Sequence, residues 1–315
     1  MGYKYKLVNG RKILCEQKHV VASKIDFLRK FLQCQNSSEN IMFVYLDETW
    51  IYQNGSYIRR WVHENDLKSN PSKIKNEGKR FTILHAGCQF GFLEGCDLLL
   101  DAANNNRDCH KTMNGKIFQR WVINQLIPAL AKIQKKCVVV MDNAPYHSMQ
   151  LNKLPSFSGN KTVMQEWLIN HNIQFDKNFT KKQLWELIQP FRENLEKHHV
   201  IDKILNDQGH EVLRLPPYYC QYNTIELAWG FSKNYYNKHI SEQPPSRHKV
   251  DNLWLESLSH CTPVMWQNFC RHCEDLIYAD WTKHMGNLSY TNIPPFIISL
   301  GESDSESDFE SDPEN

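Results

Sequence analysis

Three acids are placed where chemistry could be done: Asp47 in IMFVYLDETWIY, Asp142 in CVVVMDNAPYHS and Glu226 in NTIELAWG. Two carboxylates brought together repel one another unless a cation sits between them. Oxygen-only ligands, without clustered His or thiolate, favour Mg²⁺ or Mn²⁺ over zinc, and Mg²⁺ is commonly held by a few carboxylates while substrate phosphates and waters complete its octahedron. Two such ions roughly 3.5 to 4 Å apart can activate an attacking oxygen and steady a leaving one during phosphodiester displacement. The chemistry suggested is on nucleic acid. Each acid also has a plain structural reading. Glu226 stands three residues after Asn223, which is capping-box spacing, and Asp142-Asn143 and Asp47-Glu48-Thr49 fit turns at strand ends. Spacing alone does not decide between the two.

The elements that would position these acids can be read from periodicity. Val138, Val139 and Val140 are β-branched and form a run suited to a strand covered on both faces, ending on Asp142. IMFVYLDETWIY, 41 to 52, is a second buried-strand run, ending on Asp47. If the two are parallel neighbours, their carboxyl ends meet on one edge of the sheet, where open α/β sheets place their sites. RFTILHAGCQFGFLEGCDLLLDA, 80 to 102, holds two short apolar runs broken by Gly and polar residues, as antiparallel strands extending the same sheet would. NGKIFQRWVINQLIPALAKI sets Phe118, Val122, Leu126 and Leu130 on one helical stripe. FTKKQLWELIQPF reads as a helix with a Thr180/Gln183 capping box and Leu184, Leu187, Ile188 and Phe191 on one face. HEVLRLPPYYC is a short strand stopped by Pro216 and Pro217, and NTIELAWGFSKNYYNKHI resumes helical character with Ile225, Trp229 and Tyr236 on its apolar side.

Composition bounds the rest. At 315 residues the chain can bury one large core. No apolar run approaches the roughly 18 to 20 residues of a membrane span, and MGYKYK is not a signal peptide, so a soluble intracellular protein with no membrane partner is expected. The formal net charge is +2, but the last fifteen residues, GESDSESDFESDPEN, hold seven acids and no base. Setting those aside leaves 28 acids against 37 bases, so the body carries +9. A basic body suits a polyanionic partner, and the tail is too charged to pack. The ten cysteines fit reduced core residues better than a disulfide framework. The most metal-like cluster, SHCTPVMWQNFCRHC, has Cys261, Cys270 and Cys273 near His260 and His272, but it has a single CxxC and also reads as an amphipathic helix, which favours buried thiols.

YLDETW, VVVMDNAPYH and LPPYYCQYNTIELAWG resemble, in this order, the three motifs of the Tc/mariner superfamily of DDE transposases. The stretch DCHKTMNGKIFQRWVINQLIPAL, 108 to 130, is similar to the segment before the second motif in insect-type members, and the likeness runs from about residue 1 to 295. The resemblance implies an α/β, ribonuclease-H-like (retroviral-integrase-like) mixed sheet flanked by helices, and the helical periodicity after Asp142 adds a helical insertion before the last catalytic helix. The domains expected are 1–40 as a basic lead-in or linker and helix, 41–300 as the catalytic domain with an insertion at about 149–208, and 301–315 as an acidic disordered tail. The resemblance also implies a Mg²⁺ or Mn²⁺ site of two ions, with Asp47 bridging both, Asp142 holding one and Glu226 the other. Water would attack a phosphodiester at a transposon end, and the freed 3′-hydroxyl would then attack target DNA at TA dinucleotides. DNA is the implied partner, a homodimer a further one, and the nucleus the place of action. Asn143 and His147 would orient the metal ligands or touch DNA, or else satisfy local hydrogen bonds. Tyr219, Gln221 and Asn223 would shape the loop before the last helix. Arg59, Arg60 and Trp61 fall in a loop the family uses for DNA or dimer contacts, and Lys181 and Lys182 would add DNA contacts from the insertion. A solvated surface loop explains Arg59, Arg60 and Trp61 equally well, and a cap on the core is the other reading of the helix that Lys181 and Lys182 open.

The chain departs from the family pattern in three places. Only about forty residues precede Asp47, too few for the paired helix-turn-helix region that recognises transposon ends. Thr224 replaces the usual Pro after the third-motif Asn, a modest loss of preorganisation at the helix start. The stretch from Asp142 to Glu226 is long, as an insertion would make it. Two other functions remain open: a domesticated or truncated remnant that binds DNA or chromatin without catalysis, and another ribonuclease-H-like nuclease such as a junction resolvase.

Overall fold

The computed structural model describes residues 3–8, 11–56, 77–101, 113–191, 198–240 and 245–285. Arg59, Arg60, Trp61, most of the DCHKTMN stretch and the acidic tail lie outside these residues. The basic start is not a plain linker. Strands β1 (Tyr3–Val8) and β2 (Arg11–Glu16) pair antiparallel as a two-stranded sheet of their own. Helix α1 (Lys18–Gln35) follows and buries Val20, Phe27, Leu28, Phe31 and Leu32.

The main sheet has six strands: β3 (Met42–Tyr52), β4 (Arg80–Cys88), β5 (Gly91–Phe92), β6 (Leu98–Asp101), β7 (Cys137–Met141) and β8 (Glu211–Arg214). β5 and β6 pair with one edge of β4, β4 runs antiparallel to β3, and β7 and β8 continue beyond β3 in parallel. Alternation along the strands divides the core in two. Tyr45, Ile83, Val138 and Val140 face a layer built from Phe27, Leu28 and Phe31 of α1 together with Trp229, Trp254 and Trp266. Val44, Leu46, Leu84, Val139 and Met141 face Phe118, Val122, Leu126 and Leu130 on the other side. The three valines are therefore divided between the two layers, which is why none of them can be polar.

Asp47 does not end its strand. β3 stays paired with β4 as far as Tyr52, while its pairing with β7 stops at Tyr45 and Val140. The second half of β3 thus overhangs β7, and Asp47 lies just past the point where the two strands part.

The helical stripe ahead of β7 is not one continuous α-helix. α2 (Gly115–Trp121), a π-turn at Val122–Leu126 and α3 (Ile127–Ile133) run end to end. Pro128 lacks an N–H, and in a regular helix its ring would clash with the carbonyl four residues back. The wider π-turn just ahead of it relieves that conflict while keeping all four stripe residues buried. Asn114 starts the run by accepting from the N–H groups of Lys116 and Ile117 at 3.1 and 3.0 Å.

Between β7 and β8, α4 (Lys161–Asn170) and α5 (Lys181–Ile188) form a separate small cluster around Met164, Trp167, Leu168, Leu184 and Ile188. The Thr180/Gln183 capping box is formed, with the Gln183 side chain accepting from Thr180 N at 2.8 Å. An antiparallel bridge between Gln150 and His199 closes the base of this unit. The next helix, α6 (Val200–Asn206), does not belong to it. Ile201 and Leu205 pack with the main core, so α6 is the crossover helix of the sheet. After β8 come a 3₁₀ turn (Cys220–Tyr222) and helices α7 (Ile225–His239), α8 (Arg247–Ser259) and α9 (Pro263–Met285). Cys261, Cys270 and Cys273 are buried, while His260 and His272 are exposed. Burial pushes the Cys261 and Cys270 thiols up to about 12. No helix among the described residues is long and apolar enough to cross a membrane.

Candidate active site

The register of the two central strands brings the first two acids level. Tyr45 pairs with Val140 in parallel, and two residues further on each strand stand Asp47 and Asp142. The third acid reaches them from α7. Asn223, just ahead of that helix and 2 % exposed, donates its side-chain N–H to the carbonyl of Leu46 at 3.2 Å, the residue before Asp47. Near the far end of α7, Tyr236 donates its hydroxyl to the carbonyl of Tyr52 at 3.0 Å. α7 thereby lies along the part of β3 that β7 leaves uncovered, supplying partners for an edge that would otherwise present bare carbonyls. Glu226 is exposed in the first turn of this helix. The capping-box arrangement is absent: the cap residue is Thr224, no side chain caps the helix, and Asn223 uses its amide on Leu46.

Asp47 is half-buried by exposure and the most enclosed by protein of the three. Burial, then the charges of Glu48, Glu226 and Asp142, push its carboxyl well above the usual carboxylate range, against a single favourable bond from the Glu48 N–H at 2.8 Å. Asp142 is about half exposed and held from behind. Its Oδ1 accepts from the Ala144 N–H at 3.0 Å and from His147 Nδ1 at 2.6 Å. His147 is fully buried, and its Nε2 donates to Glu48 Oε1 at 3.1 Å. Both ring nitrogens thus face carboxylate acceptors, an arrangement that only the imidazolium satisfies. Burial alone would lower the His147 pKa, but Glu48 and Asp142 outweigh it and raise the value to about 9. The Tyr146 hydroxyl donates to the second oxygen of Glu48 at 3.2 Å.

Two further groups hold the loop after Asp142. Asn143 donates to the carbonyl of Leu215 at 2.7 Å, tying the exit of β7 to the exit of β8. Arg214, the last residue of β8, donates to the carbonyl of His147 and the hydroxyl of Ser148, both at 3.0 Å. Sequence reasoning missed Glu48 and Arg214. Strand alternation alone could have flagged Glu48, since the neighbour of Asp47 must point into the opposite layer, where a carboxylate needs a partner. Arg214 carries no local signal.

The remaining sequence candidates are placed differently. Tyr219 accepts from the buried Lys24 ammonium at 2.7 Å and stacks on Tyr222, so it belongs to the core under α1. Gln221 is exposed. Lys181 and Lys182 open α5 on the insertion, with Lys181 over the Phe157 ring.

The donor set suits a hard divalent cation: carboxylates of Asp47, Asp142 and Glu226, with the nearby imidazole already saturated by hydrogen bonds. Among the described residues, no group of three or more His, Cys, Asp or Glu closes into a ready-made metal cage.

No family model matches the chain, and no curated protein matches it. Solved structures do. The Mos1 strand transfer complex aligns with a TM-score of 0.50 at 15 % identity, covering 91 % of this chain and 68 % of that one. The Mos1 transposase paired-end complex with the left transposon end gives 0.49 at 15 %, covering 85 % and 62 %. The Mos1 mariner paired-end complex with Mn gives 0.48 at 15 %, covering 84 % and 63 %. The chain therefore spans about two thirds of the length of the Mos1 chains it matches. With antiparallel β4 beside parallel β3, β7 and β8 and helices on both faces, the chain has the ribonuclease-H-like fold that the Mos1 transposase also has.

Proposed function

We propose that this chain is the catalytic part of a Tc/mariner-type DDE transposase, a Mg²⁺- or Mn²⁺-dependent DNA endonuclease and strand transferase acting in the nucleus. The observation that supports this reading is the register that sets Asp47 and Asp142 level where β3 and β7 part, with Asn223 pinning the start of the Glu226 helix to the residue before Asp47. The Mos1 strand transfer complex supports it as a neighbour of the same fold.

Asp47, Asp142 and Glu226 would hold the divalent ions. When bound, such ions neutralise charge on the scissile phosphate and lower the pKa of the attacking oxygen. The chain's own residues do the positioning. His147 holds the Asp142 carboxylate in one orientation, and Glu48, itself bonded by Tyr146, keeps His147 charged so that both nitrogens can donate. Asn143 and Arg214 fix the loop that carries this network. The attacking groups are water and then a DNA 3′-hydroxyl, with TA steps as targets, and no protein nucleophile is called on. A pair of copies would bring two transposon ends together.

Nicking of supercoiled plasmid by the purified chain with Mg²⁺ or Mn²⁺ tests the proposal. Asp142→Asn is expected to abolish nicking, with the circular dichroism of the folded chain retained. Unchanged nicking in that variant would reject the site assignment. Salt-dependent DNA binding with no nicking under either ion would reject the enzyme and leave a DNA-binding protein.

A further inference from the structure

Lys24 is a charged residue on a helix face that is otherwise apolar. On α1 it shares the core side with Phe27, Leu28 and Phe31 and is 4 % exposed. Burying an ammonium is costly unless it meets an acceptor. Its Nζ donates to the Tyr219 hydroxyl at 2.7 Å. Tyr219 lies in the turn between β8 and α7, the segment that must deliver Glu226 to the site. That turn is strained. Tyr218 has a φ of +69°, in the left-handed region that a bulky residue adopts only where its surroundings hold it. Pro216 and Pro217, just before it, have no N–H with which to help.

A stack of rings carries the hold from α1 toward the acid. Tyr219 lies against Tyr222 with ring centres 5.2 Å apart, and Tyr222 lies flat on Phe27, one turn along α1 from Lys24, at 5.5 Å and 2°. The Tyr222 hydroxyl donates to Asp280 of α9. Backbone bonds complete the path: Tyr222 N donates to Tyr219 O at 3.2 Å, Asn223 N to Cys220 O at 2.8 Å and Glu226 N to Asn223 O at 3.1 Å. Asn223 fixes the start of α7 against β3, and the bond from Lys24 fixes the turn from behind. We infer that Lys24 is a positioning residue for the third acid: by clamping Tyr219 from α1 it holds the strained turn in the form that keeps Glu226 at the site. An apolar pair would fill the same space without desolvating a charge, but only a directional bond selects one position of the turn. This rests on the reading of Glu226 as a metal ligand and adds the element that sets it, which is neither the sheet nor the helix that carries the acid.

The test is Mn²⁺ binding by the full chain without DNA, read from the electron paramagnetic resonance of the free ion, with melting temperature and plasmid nicking measured in parallel. Lys24→Met is expected to weaken Mn²⁺ binding about tenfold, the lower end of what losing a group behind a metal ligand costs. Tyr219→Phe should lose as much and the double variant no more than either, since both remove one bond. Added to Glu226→Gln, Lys24→Met should cause no further loss, because it acts through that carboxylate. Phe31→Leu, which loosens α1 from Phe43 on β3, should lower the melting temperature and leave Mn²⁺ binding unchanged. Parent-like binding in Lys24→Met, or a loss that adds to that of Glu226→Gln or is shared by Phe31→Leu, would reduce Lys24 to packing and leave the metal site intact. A parent chain that binds no Mn²⁺ would overturn the metal site and the positioning with it. The expected pattern of Mn²⁺ binding in a chain that never nicks would keep the positioning and remove the enzyme.

Discussion

His147 keeps its charge between two carboxylates, and His85, buried on β4, is held neutral, so the two titrate in opposite senses. The folded pKa of His147 is about 9, above its ordinary value, so its contribution is fully present below about pH 6.5 and is lost as pH rises through 9. Burial lowers His85 to about 4, so its contribution is present above about pH 6.5 and is lost as pH falls toward 4. Each limb is worth up to about 3 kcal/mol. Urea denaturation from pH 4 to 9.5 should show stability peaking near neutrality. Glu48→Gln should flatten the alkaline limb and His85→Gln the acid one, whereas an unchanged profile in both would remove these assignments. Asp47 behaves otherwise again. The fold disfavours its charged form, so at neutral pH its ionisation costs stability. Asp47→Asn, which can still accept from the Glu48 N–H, should therefore raise the melting temperature while ending nicking, the trade expected of a residue kept for function. A lowered melting temperature would show that the carboxylate serves packing instead.

At the scale of elements, the unit containing α4 and α5 is attached through a narrow base. Leu151 N donates to His198 O at 2.9 Å and Val200 N to Met149 O at 2.8 Å, the ladder of a short antiparallel pair. Its apolar residues cluster with one another. Replacing residues 152–197 by Asn-Gly would join Leu151 to His198 through a two-residue hairpin turn. The excised protein is expected to remain soluble and to unfold cooperatively within a few degrees of the parent by calorimetry. Collapse of the melting transition would mean that the unit supports the sheet. α7 has the opposite character. It is bonded to β3 at Leu46 and Tyr52 and buries Trp229 and Tyr236, so the position of Glu226 depends on the main core.

At the scale of the molecule, the charge is arranged in two parts. The body carries +9 by formal count and the last fifteen residues seven acids, and the whole sums to +2. An acidic segment of that strength competes with phosphate for basic surface over distances set by screening. Removal of residues 301–315 should tighten binding to random-sequence duplex at low salt, with the difference from the parent vanishing as salt approaches about 1 M, where the Debye length is about 3 Å. Equal affinities at low salt would show that the tail does not compete with DNA.

The sequence alone determined the strands around Val138–Val140 and Met42–Tyr52, the apolar stripe from Phe118 to Leu130 and the capped helix at Thr180, because burial and backbone bonding impose short periods that local composition reveals. It also marked Asp47, Asp142 and Glu226 as acids at places where polar groups are unusual. Only the tertiary structure decided that β3 outruns β7, which moves Asp47 from the end of a strand to its middle. Only it joined Glu48 to His147, Arg214 to the loop after Asp142 and Lys24 to Tyr219. Those pairings cross from one strand or helix to another, and the spacing of residues along the chain says nothing about which side chains a sheet register or a helix packed along a strand edge will bring together.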